Sequence, residues 1–383
     1  MDLVFILVAA GCAVLAAAGT AYFALSIWTA LRYRPGGHAL AAHSAPPVSI
    51  LKSLKGVDPD MYAALRTHCA LDYGDYELLF GVHDPQEPAL AVVEALRKEF
   101  PQQPLRVVHC PEALGLNGKV SNLAQMLPQA RYEHVIINDS DIVVPPEYLE
   151  RVMAPFARQD VGMVTTLYRG IAGKTVASKL EALGISTDFA GGVLLARAME
   201  GGIRFGLGAT IATTKTVIAR IGGLEQLTEY LGDDYELGAR AAAVGYTVEL
   251  ADLVVETTLP DYRFGDFWQH QLRWARNVKD RRRRQYFGLI ATFGLPWAIL
   301  AVVARPSAWW TWTVLGVTAL LRLAAALIVG RGLLKDRQVV RDLWLLPLRD
   351  FVALAIWVAS YCGNTVVWRG LRFRLRHGKL EKL

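Results

Sequence analysis

The chain has 383 residues, of which 53% are hydrophobic, and its formal net charge is +6. This length allows one domain of roughly 200–250 residues with membrane segments, or two soluble domains. Because the uncharged runs lie at the two ends, we favour the first. Four cysteines without CxxC spacing argue against a zinc site and a disulfide framework. The excess positive charge lies beside apolar segments, which is typical of contact with anionic lipids and not of nucleic-acid binding.

The N-terminal segment predicts a membrane anchor over residues 1–34. The run from Leu3 to Leu31 contains no charged residue and is long enough to cross a hydrocarbon core of ~30 Å. The residue that follows Met1 is acidic, whereas a signal peptide begins with basic residues. Arg32 and Arg34 follow the run instead. Since basic residues flank the cytoplasmic end of a membrane helix, we expect the next domain in the cytoplasm.

Residues 46–284 read as a globular domain in which strand and helix patterns alternate. Strands are predicted at 48–54, 76–82, 105–109 and 134–138. Helices are predicted at 87–100, at 118–126 and at 58–69, the last with Asp58 as N-cap and Pro59 at the first helical position. This alternation indicates an α/β domain with a mostly parallel sheet covered on both faces. Such sheets bind ligands at the carboxyl ends of their strands.

Acidic residues follow two of these strands. Asp139 and Asp141 come directly after the apolar strand 134–138, close enough to share one hard divalent cation such as Mg²⁺ or Mn²⁺. That cation would stabilise the charge on a departing diphosphate, although a polar turn would also place acids here. Asp84 follows strand 76–82 and could bind the hydroxyls of a ribose or the edge of a uracil, or cap the next helix.

Two further stretches of this domain offer polar groups at helix starts. Residues 115–122 combine glycines with Lys119 and could face phosphate, although the spacing is not that of a Walker A loop. Asp233 and Asp234 begin a helix predicted over 233–244. One carboxylate suffices to cap a helix, so the other is free to act as a general base.

A helix predicted over 264–280 carries His270, Arg273 and Trp274, which are spaced three and four residues apart and share one face. Arginine can bind phosphate oxygens in a fork, tryptophan can form a wall for a sugar or lipid, and histidine can donate to a phosphate. The plain alternative is a surface helix with a tryptophan at the membrane interface.

Three apolar segments follow, at 287–304, 308–330 and 351–368, within a membrane region over 286–368. The chain then ends in a basic tail over 369–383. If all three segments cross the membrane, this tail lies outside, against the positive-inside rule. Either the last segment lies in the interface, or the tail is an exception.

The order of these features resembles glycosyltransferase families 2 and 21, and within them the ceramide glucosyltransferase family. The D, D, D, (Q/R)xxRW signature of that family falls on Asp84, Asp139 with Asp141, Asp234, and Arg273-Trp274. His270 stands where the signature has Gln or Arg. Residues 119–123, 139–142, 167–170 and 270–276 are similar to a bacterial branch, the hopanoid-associated glycosyltransferases, in which we take this histidine as a branch marker.

The resemblance implies a GT-A fold, a divalent metal and an inverting transfer at the inner (cytoplasmic) membrane. The donor would be a UDP-sugar carrying N-acetylglucosamine or glucose. The acceptor would be a lipid hydroxyl, of bacteriohopanetetrol or alternatively of ceramide. The residues and the roles that the resemblance gives them are Asp234 or Asp233 as base, Asp84 and Lys119 in donor binding, Asp139 and Asp141 in donor and metal binding, and His270, Arg273 and Trp274 beside the acceptor and diphosphate.

Three alternatives remain open at this point. A processive polysaccharide synthase shares the DxD and RW elements but needs more membrane helices than the four available here. A polyprenyl-phosphate sugar transferase would use a phosphate acceptor and would have less need of a base such as Asp233 or Asp234. A non-catalytic membrane receptor or transporter is the third, but Arg322 is the one clear charge within an apolar segment.

Overall fold

The computed structural model of the protein describes residues 2–33, 46–58 and 60–383, so the predicted roles of Arg34 and Pro59 lie outside the described residues. The chain begins with one long helix, α1, over Asp2–Arg32, where the anchor is predicted.

The central domain contains a mixed sheet of eight strands. Their bounds are β1 Val48–Ser53, β2 Tyr76–Val82, β3 Leu105–His109, β4 His134–Ile137, β5 Ile142–Val143, β6 Val161–Ile171, β7 Ile211–Thr214 and β8 Thr247–Thr258. The spatial order is β3-β2-β1-β4-β7-β6-β8-β5. The first four neighbours are parallel, as is the pair β6–β8, while β7 and β5 run antiparallel to their neighbours. The predicted α/β domain with a mostly parallel sheet is confirmed.

Helices connect these strands and cover both faces of the sheet. Their bounds are α2 Met61–Cys69, α3 Leu90–Glu99, α4 Gly118–Met126, α5 Tyr148–Met153, α6 Val176–Gly184, α7 Ala190–Glu200, α8 Lys215–Arg220, α9 Asp233–Ala243 and α10 Phe264–Arg281. A π-helical turn, Ile185–Phe189, joins α6 to α7. The predicted N-cap at Asp58 is wrong: α2 begins at Met61, and the Asp58 carboxylate accepts a hydrogen bond from Ser140 Oγ (2.8 Å) instead.

The strand sequences explain why both faces are covered. Successive side chains of a strand point to opposite faces, and in β1 the residues Ile50 and Leu51 are both fully buried, one in each of two apolar clusters. A strand that is apolar at consecutive positions can be stable only between two layers of helices. The carboxyl ends of β1, β2 and β4 therefore form one edge at which the loops are free to carry polar groups.

The membrane region consists of α11 Arg283–Gly288, α12 Gly294–Ala304, α13 Trp309–Ala325, α14 Gln338–Asp342 and α15 Leu346–Tyr361. By length and composition, three helices could cross a membrane: Leu3–Arg32, Trp309–Leu333 and Gln338–Tyr361. A fourth crossing is possible if Arg283–Thr292 and Gly294–Ala304, which meet at a 53° bend, form one span.

Small residues bring α1 close to its membrane-region neighbours. A Cβ atom added to Gly19 would lie 2.3 Å from the Cα atom of Gly294, so the backbones of α1 and α12 are in direct contact. Thr20 and Thr318 share a hydrogen bond of 2.8 Å between α1 and α13. Close backbone approach and hydroxyl bonds are the contacts that hold helices together in lipid.

The end of the chain differs from the prediction. The expected apolar segment 351–368 is helical only to Tyr361, and its last residues form a strand, β9 Thr365–Trp368. With β10 Leu371–Arg376 and β11 Lys379–Lys382 it builds an antiparallel sheet, so residues 369–383 are not a free basic tail. The physical reason is the alternation of arginines with apolar residues in β10, which buries Phe373 and Leu375 and exposes the arginines on the other face.

Candidate active site

The turn between β4 and β5 carries the two predicted metal-binding acids. One carboxylate oxygen of Asp139 lies 2.8 Å from Lys119 Nζ, and Asp141 Oδ2 accepts a hydrogen bond from Thr257 Oγ1 (2.7 Å). Beneath the turn, Lys52 Nζ donates to the backbone oxygen of Asp139 (2.9 Å). The turn is therefore held from below by β1 and from the side by β8.

Burial shifts the pKa values of two groups at this turn. Burial raises the pKa of Asp141 to about 6, and the neighbouring Asp139 carboxylate adds to the effect. Burial also lowers the pKa of Lys52 to about 7, against the attraction of Asp141 and Asp139. Lys52 is not among the sequence-predicted site residues, although a single charged residue inside an otherwise uncharged strand is a usable signal, because a buried charge needs a partner.

Asn117 and Lys119 join the DxD turn to the late acidic pair. Asn117 is fully buried, and its side-chain amide donates to the backbone oxygen of Tyr230 (2.7 Å) and to Asp233 Oδ1 (3.3 Å). Lys119 Nζ lies 3.5 Å from Asp233 Oδ2 as well as against Asp139. Burial alone would lower the pKa of Lys119, but these carboxylates raise it above its ordinary value. The ammonium group thus bridges two loops that are distant in sequence.

Asp234 points to a different place from Asp233. A Cβ atom at Gly208 would lie 3.2 Å from Asp234 Oδ2 and 3.7 Å from Asp139 Oδ2, so both carboxylates face the same small space. The backbone oxygen of Asp234 also accepts a bond from Gly206 N (3.2 Å). Burial, followed by the charge of Asp233, raises the pKa of Asp234 to about 6. The carboxylate of Asp233 contacts Asn117 and Lys119, whereas the carboxylate of Asp234 faces the space that it shares with Asp139.

Helix α10 presents His270 and Trp274 on one face, as the spacing predicts. Trp274 Nε1 donates to His270 Nε2 (3.1 Å), and the ring of Tyr262 stacks on the imidazole with centroids 5.8 Å apart. The other imidazole nitrogen, Nδ1, lies 3.0 Å from a carboxylate oxygen of Glu181 on α6. Glu181 is not among the sequence-predicted site residues; the available signal is that it is the one acidic residue of α6.

Tyr168 on β6 and Arg273 on α10 are both within electrostatic range of the acids. Burial raises the pKa of Tyr168, and the negative charges of Asp234, Glu181, Asp139 and Asp141 raise it further. Burial lowers the pKa of Arg273, while Tyr262 and Glu181 oppose the change. Arg273 thus interacts electrostatically with Glu181 and Asp139.

Asp84 follows β2 at the edge formed by the carboxyl ends of the parallel strands. Its side chain is exposed, and Oδ1 accepts a hydrogen bond from Gln86 N (2.8 Å), which closes a turn. The cap of α3 is Ala89, so Asp84 does not cap that helix. An exposed carboxylate beside the ends of β1 and β2 remains available to a ligand.

The donor set fits a hard divalent cation that is bound partly by its substrate. Within residues 2–33, 46–58 and 60–383, no three His, Cys, Asp or Glu side chains are placed to hold a metal by themselves. Mg²⁺ commonly takes one or two protein carboxylates and completes its shell with water and phosphate oxygens. Asp139 and Asp141 supply such a pair, and Asp141 accepts one hydrogen bond, from Thr257.

The C-terminal sheet contacts the two loops that carry Lys119 and the acidic pair. Leu231 N donates to Gly378 O (3.1 Å), and Leu380 N donates to Glu229 O (2.7 Å). The sheet's small apolar cluster packs against side chains of both loops, namely Leu116 and Leu231. The end of the chain thus supports the segment immediately before Asp233 and Asp234.

A mostly parallel α/β sheet with an acidic turn at its carboxyl edge, covered by helices on both faces, defines a GT-A domain of the nucleotide-sugar transferases. The fold is shared with a mannosyltransferase from Pyrobaculum calidifontis in complex with GDP-Man and Mn²⁺. That structure is 18% identical, with a TM-score of 0.58 over 92% of this chain and 99% of the other.

The sequence comparisons define the family. The model of Glycosyl transferase family 21 matches residues 11–381, so the chain belongs to that family and is a glycosyltransferase. A ceramide glucosyltransferase 1 from Caenorhabditis elegans is 23% identical over 87% of this chain and 72% of its own length. A ceramide glucosyltransferase from Komagataella phaffii is 33% identical over 27% of this chain and 21% of its own length. The predicted ceramide glucosyltransferase-like family is confirmed.

Proposed function

We propose that the protein is a membrane-bound inverting glycosyltransferase that moves N-acetylglucosamine or glucose from a UDP-sugar to a lipid hydroxyl. The observation that carries the proposal is the convergence of Asp139 and Asp234 on the space beside Gly208. The preferred acceptor is bacteriohopanetetrol, on the resemblance to the hopanoid-associated branch and on His270. Ceramide is the second candidate, because the curated relatives are named ceramide glucosyltransferases.

In this proposal Asp234 is the general base. It takes the proton of the acceptor hydroxyl while the hydroxyl oxygen attacks C1 of the sugar, and the bond from C1 to the diphosphate oxygen breaks so that UDP leaves with the electron pair. A base works best when its pKa is near the operating pH, and burial brings the pKa of Asp234 to about 6. Asp233, already bonded to Asn117, would position the helix start instead.

The remaining predicted residues would hold the donor. Asp84 would bind the nucleoside at the exposed strand edge, and Lys119 and Arg273 would approach the diphosphate. Asp139 and Asp141 would hold a divalent cation, which when bound stabilises negative charge on the leaving diphosphate. Trp274 would line the site on the side where the acceptor binds.

We propose that α1, the bent pair α11–α12 and α13 cross the membrane, while residues 338–361 lie in the interface. A spanning helix of 24 residues would place its ends about 36 Å apart, on opposite sides of the bilayer. Here both ends contact the central domain. Gln338 Nε2 donates to Gly170 O (2.8 Å), and Lys279 of α10 donates to backbone oxygens of Ser360 and Gly363 at the other end.

This arrangement keeps the C-terminal sheet on the same side as the catalytic domain, which we propose to be the cytoplasmic face of the inner membrane. It agrees with the positive-inside rule. Of the basic cluster at 279–284, Arg281 and Arg282 bind protein groups, so the exposed Arg283 and Arg284 are the proposed contacts for anionic lipids. A cysteine introduced at Leu383 is expected to react with an impermeant thiol reagent only in inside-out vesicles; labelling in right-side-out vesicles would reverse the topology.

The deciding experiment crosses two donors with two acceptors. Purified full-length protein in detergent is given UDP-N-acetylglucosamine or UDP-glucose, with bacteriohopanetetrol or ceramide, and products are identified by mass spectrometry. Transfer to bacteriohopanetetrol is expected, and transfer to ceramide alone would move the protein to the second candidate. Asp234→Asn should retain donor binding and lose turnover, whereas the matched control Asp252→Asn should be active. No transfer to either lipid would refute the proposal.

A further inference from the structure

Glu181 is a buried carboxylate with one oxygen unused. The residue is 5% exposed, and its Oε1 lies 3.0 Å from His270 Nδ1. Its Oε2 is buried and has no hydrogen-bond partner within the described part of the chain. Because a buried charge without its hydrogen bonds is costly, this oxygen is available to a ligand that donates a hydrogen bond, although the side chains of Tyr262 and Arg273 also lie near Glu181.

The neighbouring tryptophan fixes how His270 uses its two nitrogens. An indole N–H can only donate, so His270 Nε2, which accepts from Trp274 Nε1 (3.1 Å), carries no proton. In the neutral ring the proton is then on Nδ1, facing Glu181. Nε2 is therefore occupied by Trp274, while Nδ1 lies 3.0 Å from Glu181 Oε1 without forming a hydrogen bond to it.

Glu181 lies on a helical unit that exposes apolar side chains on one side and approaches the catalytic region on the other. Its helix continues through the π-helical turn into α7, and this helical unit exposes the apolar side chains Val176, Phe189 and Met199. On the inner side, Tyr168 is within electrostatic reach of both Glu181 and Asp234. We take the apolar side of this helical unit as the direction from which a lipid headgroup would approach Asp234.

We propose that Glu181, which lies beside His270, accepts a hydrogen bond from a hydroxyl of the acceptor's headgroup and disfavours acceptors that end in phosphate. An ionised carboxylate can only accept, so its ligand must donate. A hydroxyl satisfies that requirement with a charge-assisted bond, whereas a phosphate donates poorly and is repelled by like charge. The inference rests on the proposed function and adds the residue that selects a neutral acceptor against a phosphate acceptor.

The test is Glu181→Gln in the full-length protein, which keeps the shape of the side chain and removes its charge. With UDP-N-acetylglucosamine as donor and bacteriohopanetetrol as acceptor, the acceptor KM is expected to rise about tenfold or more, while the donor KM changes less than twofold. A polyprenyl phosphate added as a competitor should inhibit this variant more strongly than wild type. Glu150→Gln, at an exposed position of α5, is the matched control and should match wild type.

The outcomes separate this inference from the proposed function. An unchanged acceptor KM in an active Glu181→Gln variant would overturn the inference alone, as would equal rises in donor and acceptor KM. Efficient transfer to the polyprenyl phosphate by wild type, or no transfer to either hydroxyl lipid, would overturn both. If Glu181→Gln does not fold, Glu181→Asp keeps the charge but withdraws it by one carbon, and the same rise in acceptor KM is expected.

Discussion

Replacing Asn117 tests whether the bridge between the two active-site loops contributes to stability. Its Oδ1 accepts from Val120 N (3.2 Å) as the N-cap of α4, and its amide donates to Tyr230 O (2.7 Å). Loss of an N-cap costs about 1 kcal/mol, and a buried carbonyl left without its donor costs about 1–3 kcal/mol. Asn117→Ala should therefore lower the free energy of unfolding by about 2–4 kcal/mol.

The matched variant Asn117→Asp separates the two contributions. It keeps an oxygen to cap α4 but places a carboxylate against Tyr230 O and Asp233, which raises the pKa of the new group in the folded state. Folding then favours its protonated form, so the variant should be stable at low pH and lose stability as pH rises through the raised pKa. Chemical unfolding of the full chain in detergent measures both variants. An Asn117→Ala midpoint equal to that of wild type would refute the reasoning.

Three further predictions concern packing and charge. Gly19→Val should strain the contact of α1 with α12 and lower the free energy of unfolding by about 1–3 kcal/mol, whereas Gly11→Val should be neutral because Gly11 faces open space. Equal midpoints of thermal unfolding for the two variants would contradict the close contact. Phe373→Ala should loosen the C-terminal sheet and reduce kcat, whereas Leu371→Ala should not, because Leu371 is 59% exposed. If the two variants have the same kcat in steady-state assays, the sheet does not support the active site. Because the pKa of Asp234 is raised to about 6, kcat/KM should fall as pH falls through about 6, and a pH–rate profile flat to pH 5 would exclude it as the base.

Several elements followed from local sequence alone. The helix start at Gly118 and the strands at 76–82 and 105–109 were predicted with the bounds that the structure shows, because caps, glycines and apolar runs act over a few residues. The helix after residue 58 was placed too early, since Asp58 bonds to Ser140, a residue far along the chain. The alternation in β10 was overlooked because its arginines were read as a charge cluster.

The sequence by itself determined the order of acids, helices and apolar segments, and with it the family, because these are patterns of neighbouring residues. Only the tertiary structure decided which acid of the pair is free, since Asn117 and Lys119 reach Asp233 across loops distant in sequence. It likewise brought Glu181 to His270 and folded the basic end of the chain against the loop before Asp233. Such contacts depend on how helices and sheets pack, and the residues next to a carboxylate in the sequence do not determine which groups pack against it in the fold.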